Sequence, residues 1–188
     1  MMIARLSHGI SVLLLGIALG VVASLADASQ VPPLPKPIVA DLADAASLKV
    51  RGQAVMRFFG LKVYDVYLWT PGKPHSDADL FALKLVYDLN LKGAEIAKRS
   101  VEEMRKLGYT DEAKLTRWGE AMARIFPDVK KGDVLVGVSV PGKEARFYAA
   151  DRFLATVPDA EFAKAFFDIW LSEKTSEPKL RQRLLGAR

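Results

Sequence analysis

Four side chains carry most of the reactive chemistry that this sequence offers: Arg57, Lys62, Tyr64 and Arg99. The stretch from Met56 to Trp69 is rich in Val, Phe, Tyr and Leu and reads as strand, so residues two apart point to the same face. Met56, Phe58, Lys62 and Tyr64 then fall together, with an ammonium beside a phenolic hydroxyl, a pair suited to holding an anionic oxygen. Arg57 falls on the opposite face unless a bulge near Gly60 shifts the register. The competing reading has Lys62 reaching out to solvent at a sheet edge and Tyr64 serving as a core aromatic with a satisfied hydroxyl.

Other chemistries lack parts. The chain has no cysteine, which removes thiol catalysis, disulfides, a lipoprotein anchor and Cys-ligated metals. His75 is the only histidine after the N-terminal segment and sits in the loop from Pro71 to Asp79, where a solvated side chain is expected; a catalytic triad or His-rich metal site cannot be assembled from it. Glu102 and Glu103 are neighbours on a predicted helix and point to different sides. Asp65, flanked by Tyr64 and Val66, reads as a sheet-edge hydrogen-bonding group, with a buried acid as the alternative. Phe166, Phe167 and Trp170 read as core, since aromatics at helical spacing usually are.

The elements that must position these groups follow from periodicity. Leu48 to Trp69 predicts two or three strands, with Gly52 and Gly60 as punctuation, and Phe81 to Asp88 predicts another. The period then changes to about 3.6, with Ala97, Val101 and Met104 on one face of a helix from Ala94 to Leu107 that Gly108 ends. Thr110 is the expected N-cap of a second helix, with Leu115, Trp118, Met122 and Ile125 as its buried stripe and Pro127 as its stop. Val134 to Val140 and Arg146 to Ala150 predict strands joined by a turn at Pro141-Gly142, and Phe153 to Val157 a further strand. Asp159 caps a helix carrying Phe162, Phe166, Ile169 and Trp170, and a short last helix carries Leu180 and Leu184. Strands, two helices, strands and two helices, without βαβ alternation, argue for an α+β domain with a mainly antiparallel sheet covered by helices on one face.

The N-terminus has export-type organisation. Arg5 precedes an uncharged, mostly apolar run from Ile10 to Ala26, and Ala26-Asp27-Ala28 reads as a cleavage site, so residues 1–28 are expected to be a signal peptide and the mature protein periplasmic or secreted. An uncleaved N-terminal membrane anchor is the alternative. Residues 29–47, with Pro32, Pro33, Pro35 and Pro37, read as an extended spacer before a domain spanning 48–188. The net charge of +5 is spread over bases such as Lys98, Arg99, Arg105 and Lys106 interleaved with Glu95, Glu102 and Glu103, which describes a solvated surface better than a basic face for lipid head groups. With export, no nucleic-acid partner is expected.

Three stretches together resemble the bacterial branch of the chalcone-isomerase-like family: Met56 to Trp69, Gly93 to Gly108, and Ile125-Phe126-Pro127 onward through Gly132-Asp133, Phe166 to Leu171 and Thr175 to Pro178. The resemblance implies an open-faced β-sandwich with a ligand cleft between its large sheet and its helical layer. Plant enzymes of this family cyclise a chalcone to a flavanone without a metal or redox cofactor, using a cation for the phenolate, donors near the ketone and a pocket that pre-folds the substrate. Most of the polar residues that the resemblance would place there are replaced. The expected arginine falls at Met56, the threonine at Lys62, the tyrosine and asparagine at Ile96 and Glu103, and a further polar residue at Ile169, while Arg99 keeps a helix base in kind.

The expectation is therefore a non-catalytic binder of a small apolar or amphipathic ligand, a fatty acid or a phenolic, needing no cofactor or metal. Met56, Lys62, Tyr64, Ile96, Arg99 and Ile169 are the candidate contacts. Two alternatives stand beside it. One is an isomerase or intramolecular lyase using Lys62 and Tyr64 with Arg57 or Arg99, and the other an accessory protein docking an envelope partner through its proline-rich segment.

Overall fold

The computed structural model describes residues 31, 33–72, 74–150 and 152–186; the expected signal peptide, residues 1–28, lies outside them. Six strands form one sheet in the order of the chain: β1 (Lys49–Phe58), β2 (Leu61–Thr70), β3 (Phe81–Tyr87), β4 (Val134–Val140), β5 (Glu144–Ala149) and β6 (Phe153–Val157). Every neighbouring pair is antiparallel. Helices α2 (Gly93–Leu107) and α3 (Glu112–Ile125) connect β3 to β4, and α4 (Ala160–Leu171) and α5 (Pro178–Leu184) follow β6. The architecture is the α+β arrangement expected, an open antiparallel sheet under a helical layer.

Helix ends follow the local chemistry. Gly108 closes α2 with φ 102°, a left-handed conformation that glycine adopts without a Cβ penalty. Asp111, rather than Thr110, is the N-cap of α3: its carboxylate accepts from the Lys114 amide at 3.0 Å and leaves Glu112 in the first turn. Asp159 caps α4 as expected, accepting from the Phe162 amide, and its second oxygen accepts from Trp118 Nε1, both at 3.0 Å.

Both faces of the sheet are covered. The helical side buries Val66, Leu68, Leu83 and Phe147 against Val101, Met104, Met122, Phe162 and Phe166. The other side buries Ala82, Val136, Val138 and Tyr148 against Ile38, Ala45 and Leu48. This second layer corrects the reading of residues 29–47 as an extended spacer: Lys36–Asp41 form helix α1, and Ala43–Ser47 a short 3-10 helix. Pro37 fits the first turn of α1 because its missing N–H would have no partner there, and Leu34, Ile38 and Leu42 pack on the sheet. The ammonium of Lys84, 4% exposed, donates to the Pro33 carbonyl at 2.6 Å, tying the segment down. Coverage on both faces also accounts for the nearly continuous apolar run of β3.

Two irregularities in the β1–β2 hairpin set what faces the helices. Its two-residue turn places Phe59 at φ 47° and Gly60 at φ 81°. Positive φ at both central positions matches the strand twist, but at a residue bearing a Cβ it costs about 1–2 kcal/mol. In addition, Met56 pairs with Tyr64 while the next residue, Arg57, pairs with Lys62, so β2 carries one extra residue, Val63, at a bulge.

Candidate functional site

That bulge decides which side chains can meet a ligand. Above it, Tyr64 points toward the helices; below it, alternation restarts, so Val63 and Leu61 face the helical side and Lys62 the opposite one. The expected Lys62–Tyr64 pair therefore does not form. Lys62 lies on the far face, its ammonium 2.8 Å from the Asp65 carboxylate, and the hydrogen bond to Asp65 raises its pKa. Arg57 does not enter the helical side either, and its guanidinium donates to the Gly60 carbonyl in the hairpin turn at 3.2 Å.

Between the sheet and helices α2, α4 and α5 lies a cleft of about 400 Å³, in the range that small-ligand sites occupy. Met56 and Tyr64 reach it from the hairpin, Ile96 and Arg99 from α2, and Ile169 from α4, so five of the six expected contacts line one cavity. Helical spacing brings Ile96 and Arg99 to the same face, three residues apart. Leu83, Leu85, Leu135 and Phe147 form much of the floor. The backbone of α2 can approach closely enough because residue 93 is glycine: a Cβ there would collide with the Phe126 carbonyl, and the Gly93 amide donates to Asp128 at 3.0 Å.

The polar end is sparse. Trp170 Nε1 donates to the Tyr64 hydroxyl at 3.0 Å, leaving the hydroxyl proton available to an acceptor in the cleft. Burial pushes the Tyr64 hydroxyl up to about 12, partly countered by that hydrogen bond, so it is a neutral donor near pH 7. Tyr87 also lines the cleft, its ring edge-on to that of Tyr64 at 5.8 Å, and burial raises its pKa as well.

At the mouth, the Arg99 guanidinium lies 5.6 Å from the centre of the Phe58 ring, 2.6 Å from Glu103 and 3.6 Å from Glu102. Glu103, only 8% exposed, also accepts from Lys106 at 2.9 Å and Ser176 at 2.8 Å. Burial alone would raise the Glu103 pKa, but these hydrogen bonds and the Arg99 charge outweigh it and hold the carboxyl below its ordinary value.

Residue-level reading missed several of these contacts. Trp170 reads as core, and it is buried, yet its N–H donates to the Tyr64 hydroxyl at the cleft lining. Tyr87, Glu95, Ser176 and Glu177 also line the cleft. An indole at helical spacing gives no hint of where its N–H points; a tyrosine in a strand buried on both faces, as Tyr87 is, was the one available signal. His75 departs from expectation too. Its side chain is 10% exposed and lies edge-on to Phe81 at 4.5 Å, and burial lowers its pKa. Among the described residues, no cluster of His, Asp and Glu is arranged to hold a metal ion.

An open antiparallel sheet covered by helices, with a mostly apolar cleft between the layers, defines the class of α+β domain. The chain belongs to the chalcone isomerase-like family, whose model matches residues 37–186 and so includes most of the N-terminal layer. A curated relative, an uncharacterised protein of Haemophilus influenzae, is 30% identical over 104 residues, which is 55% of this chain; the chain spans about half the length of that relative. Among solved structures, a fatty-acid binding protein of Arabidopsis thaliana superposes with a TM-score of 0.58 over 74% of this chain and 87% of its own, at 12% identity, a likeness of fold.

Proposed function

We propose that this protein is a non-catalytic binder of a small amphipathic molecule, a fatty acid or a phenolic. The apolar body lies between Met56, Ile96 and Ile169, and the polar end accepts from the Tyr64 hydroxyl. The observation that carries the reading is the apolar cleft of about 400 Å³ ending at that hydroxyl, whose proton has no acceptor among the described residues. A structural neighbour described as a fatty-acid binding protein supports it.

Turnover of the plant type finds less support. It needs a cation beside the donor, whereas Lys62 faces away and Arg99 is already paired with Glu103. The proline-rich segment favours partner docking less than its sequence suggests, because from Pro33 onward it contributes to the second layer of the domain. Export through residues 1–28 remains part of the proposal, tested by fractionation of cells expressing the full chain.

The test of binding is thermal unfolding of the delipidated protein titrated with palmitate and with a simple chalcone. A ligand at a hundred times its dissociation constant should stabilise by about 2.7 kcal/mol. No shift with either class contradicts the reading.

A further inference from the structure

At the tip of the β1–β2 hairpin, Phe58 and Leu61 reach the cleft with one side only, and Phe59 lies outside its lining. Phe58, Phe59 and Leu61 are 50%, 92% and 63% exposed, three large apolar side chains within four residues. Phe59 also occupies the left-handed conformation that asparagine or glycine would adopt more cheaply. Apart from an edge-on contact with the Phe58 ring at 4.5 Å, Phe59 lies in water, and a strained side chain so exposed gains little from the folded domain; such features concentrate at functional surfaces.

We infer that this hairpin tip docks the protein on a lipid bilayer carrying anionic head groups, with Phe59 inserted at the level of the acyl-chain boundary. The charges behind the tip fit such a partner. Arg57 and Lys62 stand directly opposite each other on the two strands, on the face away from the cleft. Arg99 lies over Phe58 on the cleft side. Lys62 is held by Asp65 and Arg99 by Glu102 and Glu103, whereas Arg57 has no ion pair among the described residues and is the charge left to meet an anionic head group behind the apolar tip. This is the layout of interfacial anchors, with bases at head-group level and aromatic or aliphatic side chains below.

A second copy of the chain fits less well. Three side chains expose roughly a few hundred Å², short of the ~800 Å² per partner of a stable protein interface. The tip is also continuous with the binding cleft, since Phe58 and Leu61 line both. Docking there would open the cleft mouth onto the membrane, from which an amphipathic molecule could enter without crossing water; this last consequence rests on the binding reading, whereas docking does not.

The absence of cysteine makes the test site-specific. The full chain is prepared as Phe59→Cys and, separately, as Lys143→Cys, and each is labelled with an environment-sensitive fluorophore. Residue 143 lies in the β4–β5 turn, which strand alternation places at the opposite end of the sheet. Vesicles of phosphatidylcholine and phosphatidylglycerol containing brominated chains are then added. Quenching and a blue shift at position 59, with neither at 143, are expected; no quenching at 59, or equal quenching at both positions, overturns the proposal.

An unlabelled Phe59→Ser chain, altered at a residue outside the cleft lining, should take up vesicle-held cis-parinaric acid about tenfold more slowly than the wild type. Its affinity for the same probe in solution should be unchanged. If neither chain binds the probe in solution, the binding reading fails, while the quenching result still decides the docking.

Discussion

Trp170 on α4 and Tyr64 on β2, 106 residues apart in sequence, are joined by an indole N–H to hydroxyl hydrogen bond of 3.0 Å that spans the cleft from helix to sheet. The bond fixes the hydroxyl rotor and determines which of its hydrogen-bonding capacities is left for a ligand.

Replacing Tyr64 with Phe leaves the ring and removes the oxygen. The buried Trp170 N–H then loses its acceptor, and destabilisation of about 1–3 kcal/mol is expected in urea unfolding. Ligand affinity should fall about tenfold, the equivalent of one hydrogen bond, by fluorescence displacement of bound cis-parinaric acid.

Lys62→Ala should leave ligand affinity unchanged, because the bulge at Val63 turns Lys62 to the far face. Its partly exposed pair with Asp65 contributes at most about 1 kcal/mol, so the unfolding midpoint should move little. A large loss of binding in this variant would mean that the hairpin register differs from the one described.

Glu103 links the mouth to pH. Its folded-state pKa lies below the ordinary carboxyl value of 4.5, so its ionised form stabilises the fold at pH above that value. The contribution is lost as the pH falls through the lower, folded-state pKa. The melting-temperature gap between wild type and Glu103→Gln should therefore be widest near about pH 6 and narrow toward about pH 3. A gap that widens on acidification would contradict the ion-paired geometry.

Gly93→Ala tests the close approach that lets α2 form one wall of the cleft. A methyl group there meets the Phe126 carbonyl, and α2 must shift at its N-terminus. A loss of about 1–3 kcal/mol is expected by denaturant titration, larger than the change at an exposed helical position such as Lys98→Ala.

Much of the fold is legible in the sequence because it rests on local periodicity. The alternation of β1 and β2, the helical stripe of Ala97, Val101 and Met104, and the stops at Gly108 and Pro127 each follow from neighbours within a turn or two. The N-terminal layer was hidden because four prolines suggest an extended chain, while the apolar spacing of Leu34, Ile38 and Leu42 matters only once a second sheet face needs cover.

The site was legible as a set of positions and misread as chemistry. Met56, Tyr64, Ile96, Arg99 and Ile169 converge on one cleft, yet Lys62 was placed among them by strict alternation. A single inserted residue at Val63 reverses the side on which the residues between it and the turn appear; Gly60 hints at a bulge nearby, but the sequence does not say which strand carries it, and it moves Lys62 rather than Arg57. The Trp170 bond to Tyr64 is likewise a product of tertiary packing.

Native mass spectrometry of the purified protein, released gently from its expression host, tests the central claim most directly. The account predicts a bound species of small-molecule mass, recoverable by organic extraction as a fatty acid or phenolic, and reduced in an Ile169→Trp variant whose larger side chain narrows the cleft. A wild-type protein that is ligand-free and takes up neither class when they are supplied, or an Ile169→Trp variant that holds as much ligand as the wild type, would contradict it.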